Sequence, residues 1–163
     1  MATLAETRTE DPAALVERLA RKARAAQRML AALPSAVKAA ALEQAAAALR
    51  EDAPKIIEAN ASDLVAGESN GLSPAMLDRL RLDEARLGAV AAGVEAVARL
   101  PDPVGQVIDV VERPNGLRLS RIRVPIGTIG IIYESRPNVT ADAAALCVMA
   151  GNAALLRGGS EAV

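Results

Sequence analysis

The order of three features along the chain predicts an α/β fold. An alanine-rich stretch of about a hundred residues carries helical periodicity, and Pro101 and Pro103 close it. A ribbon of β-branched residues follows around Asn115-Gly116. Two short apolar runs, IGTIGII and AALLR, then flank an apolar helix, which is the strand–helix–strand order of a parallel sheet. The chain divides into a helical part at 1–103, a β-hairpin arm at 104–124 and a βαβ unit at 125–163.

The helices follow from local signals. Asp11-Pro12 supplies an N-cap and a first-position proline. Leu15, Leu19, Ala23, Ala26, Leu30 and Leu33 then recur at spacings of four and three, an apolar stripe expected to pack into a core, opposite a solvated basic face. Pro34-Ser35 breaks this helix and caps a second that runs to about Asp52. Pro54 opens a third, which stops near Gly67. Ser73-Pro74 starts a short helix, and Asp83 caps a longer one with Leu87, Val90, Val94 and Val97 on one face.

The ribbon QVIDVVE-RPNG-LRLSRIRV reads as two strands joined by a type I′ turn at Asn115-Gly116, with a bulge near Ser120. A two-stranded ribbon is marginal alone. It is expected either to pack on the body or to join another subunit as an oligomerisation arm.

The final third predicts a strand before Tyr133, a helix from about Thr140 to Ala150, a stop at Gly151-Asn152 and a second strand before Gly158-Gly159. Two strands and one helix leave both edges and one face of a sheet open, so the chain is expected to be the front part of a longer protein.

Composition narrows the chemistry. There is no histidine, which removes imidazole metal ligands and Ser-His or Cys-His pairs. The net charge of −1 comes without a basic block, which argues against nucleic acid. No run is long enough to span a membrane, and one cysteine fits a reducing compartment, so a cytoplasmic location without membrane or metal is expected.

In an open parallel sheet, ligands bind beyond the carboxyl ends of the strands. Residues 134–139 and 157–161 both occupy that position and are expected to face one cleft. The side chain of Asn138, or Thr140, can cap the following helix, whose N-terminus brings free N–H groups. The Asn138 amide can also donate to an oxygen that becomes negative during acyl transfer, and the Arg136 fork suits a carboxylate or phosphate. Both residues also have a purely structural reading, as a cap and an ion-pair partner. Cys147 lies two turns into an apolar helix, flanked by Leu146 and Val148, and is expected to be packing rather than a nucleophile.

The run RVPIGTIGIIYESRPNVTADAAALCVMAGNAALLRGGSEA, with LPDPVGQVIDVVERPNGL and IIEANASDL upstream, resembles the γ-glutamyl phosphate reductase family of the aldehyde dehydrogenase superfamily. The resemblance implies a Rossmann-like sheet of the aldehyde dehydrogenase type, of which only the start is present. It implies NADPH-dependent reduction of L-glutamate 5-phosphate to glutamate 5-semialdehyde in proline biosynthesis, through a thioester on a cysteine beyond Val163. The chain alone is then expected to be inactive.

The resemblance further implies that Asn138 helps form an oxyanion site and that Ser135, Arg136 and Pro137 lie beside substrate and nicotinamide. Arg157, Gly158, Gly159, Ser160 and Glu161 would face the cofactor, with Arg157 and Ser160 favouring a 2′-phosphate and hence NADP. The 104–124 hairpin would be the arm that builds a homo-oligomer. Two other readings remain: a noncatalytic helical and β-arm assembly module, and another NADP-linked relative acting on a different acyl group.

Overall fold

A computed structural model describes residues 11–134 and 136–159. Five helices come first: α1 (Pro12–Ala31), α2 (Ser35–Glu51), α3 (Ala53–Ser69), α4 (Pro74–Leu80) and α5 (Glu84–Ala98). Strands β1 (Val107–Glu112), β2 (Arg118–Ile122) and β3 (Thr128–Ile132) follow, then α6 (Asn138–Met149) and β4 (Ala153–Arg157).

The two predicted caps at Asp11 and Asp83 are present, and Ser73, predicted only as a helix start, is also a cap. Asp11, Ser73 and Asp83 accept from the amides of Ala14, Met76 and Arg86 respectively. Ser35 is not a cap but the first residue of α2, after Pro34. The third helix continues past Gly67 to Ser69, because Gly71, at φ +79°, supplies the left-handed residue that ends it.

The core lies between α2, α5 and α6, built from Leu42, Ala46, Ala91, Val94, Ala98, Ala145 and Met149. With no Phe or Trp to fill space, alanines let these helices approach closely. The stripe on α5 is therefore core, as its spacing predicted. The stripe on α1 is not. Leu15, Leu19 and Leu33 are exposed and no α1 residue is fully buried, although α1 packs against β3 and β4. Periodicity shows that a helix has an apolar face, not that a partner covers all of it.

Buried polar side chains lock the layers. Lys38 pairs with Asp102 and donates to the Met149 carbonyl at the end of α6. Asn60 donates to the Leu80 carbonyl and accepts from the Leu82 amide, fixing the α4–α5 link on α3. Asn152 accepts from the Gly127 amide at 2.8 Å and joins the entrances of β3 and β4.

β3 and β4 pair in parallel from Thr128–Ala153 to Ile132–Arg157, and the Tyr133 amide adds one further bond to the Arg157 carbonyl. This is the predicted βαβ unit. Its strands are only half-buried, rather than covered on both faces.

β1 and β2 form the predicted antiparallel hairpin with two corrections. The Gly116 amide bonds the Arg113 carbonyl, so Pro114 and Asn115 are the central turn residues. Proline cannot adopt the positive φ of a type I′ turn, and only Gly116, at φ +82°, takes the left-handed position. The bulge lies between Val107 and Asp109, not near Ser120. Along both strands the large apolar side chains are exposed.

Candidate functional site

The topology brings the two predicted loops together. A recess of about 390 Å³ is lined by Tyr133, Arg136, Pro137 and Thr140 after β3, by Gly158 and Gly159 after β4, and by Asn60 and Asp63 of α3. The two glycines bring bare backbone to its wall. Arg157, one residue earlier, is exposed and is not part of that lining; its carbonyl closes the β3–β4 ladder. Ser135, Ser160 and Glu161 lie outside the described residues.

A second recess of about 540 Å³ is lined by Asn138, Asp142, Arg136, Arg79, Arg81, Arg86 and Asp78. Arg136 and Pro137 line both recesses. A third recess, about 570 Å³ and almost wholly apolar, opens between α2, α5 and α6 and is reached by Pro137 and Asn138.

Helix α6 begins at Asn138, two residues earlier than expected, with Pro137 in the N-cap position. Neither Asn138 nor Thr140 caps it. The Asn138 amide instead donates to Asp142 Oδ2 at 3.0 Å, one turn along the same helix, and the Thr140 hydroxyl bonds the Tyr133 hydroxyl. The Val139 and Thr140 amides bond the Arg136 and Pro137 carbonyls, so two of the N–H groups expected to be free are occupied. An amide nitrogen carries two N–H groups, and among the described residues the second one of Asn138 has no acceptor.

Cys147 is buried, and burial pushes its thiol up, away from thiolate. It is packing, as its neighbours predicted. Among the described residues no cluster of Cys, Asp and Glu is placed to hold a metal ion, and no helix is long and apolar enough to cross a membrane.

Sequence reading missed Asp142, the arginines of α4 and α5, and Asn60. The i,i+4 spacing of Asn138 and Asp142 was the one local signal available. Asn60 reaches a main chain 20 residues away, which no spacing announces.

No family model matches the chain. A γ-glutamyl phosphate reductase from Sphingopyxis alaskensis is 63% identical over 161 residues, covering 99% of this chain and 38% of that protein. The chain thus spans little more than a third of the length of such relatives. The crystal structure of a γ-glutamyl phosphate reductase from Thermotoga maritima superposes with a TM-score of 0.85 at 44% identity, over 91% of this chain and 36% of that one. An NAD-dependent benzaldehyde dehydrogenase from Corynebacterium glutamicum shares the fold, with a TM-score of 0.70 at 23% identity over 91% of this chain and 30% of that one. Sequence and fold together place the chain with the γ-glutamyl phosphate reductases, as the counterpart of their N-terminal portion.

Proposed function

We propose that this chain supplies one wall of the reaction site of an NADPH-dependent reductase that converts L-glutamate 5-phosphate to L-glutamate 5-semialdehyde and phosphate. The observation that carries this reading is the position of Arg136 and Pro137 on the lining of two recesses, one beside the β3 and β4 loops and one beside Asn138. Cofactor on the first side and acyl substrate on the second would meet at residues 136–138.

A cysteine thiolate from outside this chain attacks the acyl phosphate, breaks the C–O bond to phosphate and leaves a thioester. The buried thiol of Cys147 cannot fill that role. As the carbonyl becomes tetrahedral, the second Asn138 N–H donates to its oxygen, while Asp142 holds the other side of the amide. NADPH, when bound beside the β3 and β4 loops, would supply the hydride for the thioester. The bare glycines fit a cofactor backbone, and the exposed Arg157, without an ion-pair partner among the described residues, could pair with a 2′-phosphate. Activity is accordingly expected of the full-length reductase and not of this chain alone.

The hairpin adds an assembly role. Val107, Ile108, Val111, Leu119 and Ile122 are all exposed on a ribbon that packs mainly on itself, which supports an arm that docks on another subunit to build a homo-oligomer.

The test is NADPH oxidation with glutamyl phosphate by a full-length reductase carrying this segment. Arg157→Ala is expected to weaken NADPH binding and leave NADH binding nearly unchanged. An unchanged ratio of the two affinities would remove the cofactor assignment.

A further inference from the structure

The recess beside Asn138 has a charge pattern that the reduction itself does not require. Arg86 is occupied, because it bonds the Asp78 carboxylate at 2.7 Å as well as the Asp78 and Arg81 carbonyls, and so braces the α4–α5 turn. Arg79, Arg81 and Arg136 have no carboxylate partner among the described residues. Asp142 is half-buried on the same lining and pairs with none of them. Its Oδ2 accepts from Asn138, while Oδ1 has no partner among the described residues and faces Gly93. A methyl group built on Gly93 would stand 3.5 Å from that oxygen, in ordinary contact with it.

A recess that keeps the Asp142 carboxylate apart from three guanidinium groups without a carboxylate partner among the described residues complements a ligand carrying both charges. A ligand with anionic groups alone would meet repulsion at Asp142. The volume of about 540 Å³ is that of a small-molecule site.

We propose that Asp142 accepts the α-ammonium group of the acyl substrate, while Arg81 and Arg136 donate to its α-carboxylate. The recess then selects amino-acid acyl groups over simple dicarboxylic ones. This rests on the reductase reading above, since it supposes that the acyl chain reaches Asn138 from this side.

The test runs the reaction in reverse, with NADP and phosphate, on a full-length reductase carrying this segment. Two aldehydes are compared, L-glutamate 5-semialdehyde and its deamino analogue 5-oxopentanoate. Asp142→Asn keeps an acceptor for the Asn138 amide and removes only the charge. It is expected to lower kcat/KM for the amino aldehyde roughly 10- to 100-fold more than for the deamino aldehyde. Gly93→Ala, which sits in a helix and clashes with nothing, should raise KM for the amino aldehyde alone. It serves as the independent probe if Asp142→Asn does not fold.

Equal losses on both aldehydes would overturn the inference and leave Asp142 as a brace for Asn138. No loss on either would overturn it too. A wild-type enzyme that oxidises neither aldehyde would instead sink the reductase reading and this inference with it.

Discussion

The ammonium group of Lys38 lies 2.5 Å from the Asp102 carboxylate and 3.2 Å from the Met149 carbonyl, with the lysine side chain wholly buried. One residue of α2 therefore ties the exit of the helical part to the end of α6, the helix that carries Asn138 and Asp142. Lys38→Met would leave Asp102 charged and largely enclosed, and is expected to destabilise the fold by about 3 kcal/mol. Adding Asp102→Asn should recover part of that loss. Thermal or denaturant unfolding of the single and double variants checks this, and additive losses would show that the two residues act independently.

The same pair sets an acid limit. Burial alone would push the Asp102 carboxyl up, but the Lys38 hydrogen bond, the Val104 amide and the charge of Lys38 together hold it below the usual range. Its contribution is present above the unfolded carboxyl pKa of about 4 and fades as pH falls through the lower folded value. Asp102→Asn should flatten the stability–pH curve below about pH 4. A curve as steep as wild type would assign the acid limb to other carboxylates.

Two glycines should respond in opposite directions to alanine. Gly151 has φ +70°, and an added methyl would stand 3.0 Å from Pro125 and 3.2 Å from Val104. Gly151→Ala is expected to cost about 2 kcal/mol or more, because left-handed strain and crowding add. Gly88 lies inside α5 with open space around it, so Gly88→Ala should stabilise by about 0.5–1 kcal/mol. Shifts in Tm of opposite sign are the expected result.

These contrasts show which parts of the fold could be read in advance. The caps at Asp11 and Asp83 were legible because donor and acceptor lie three residues apart. The joints made by Lys38, Asn60 and Asn152 were not, because each reaches main chain brought close only by the finished fold. The exposed stripe on α1 and the turn at Pro114 show the limits of pattern reading. A period identifies a face but not its partner, and Asn-Gly identifies a turn but not its register. At the site, topology placed the β3 and β4 loops in one recess. Sequence alone did not give the side-chain bond from Asn138 to Asp142, which replaces the expected cap.

The hairpin arm is tested by charge. Val111 and Leu119 are paired across the ribbon and both exposed. Val111→Lys with Leu119→Lys, in a full-length reductase carrying this segment, should shift sedimentation to smaller species while the far-ultraviolet dichroism stays the same. An unchanged assembly would take the arm out of the interface.

The most direct measurement bears on Asn138. In the same full-length enzyme, Asn138→Ala removes the donor proposed for the reacting oxygen and leaves the other residues of the recess in place. The account predicts that kcat for reduction of glutamyl phosphate falls roughly 100- to 1,000-fold, with little change in KM or in NADPH affinity. A variant with near wild-type kcat would contradict it and return Asn138 to a structural role at the start of α6.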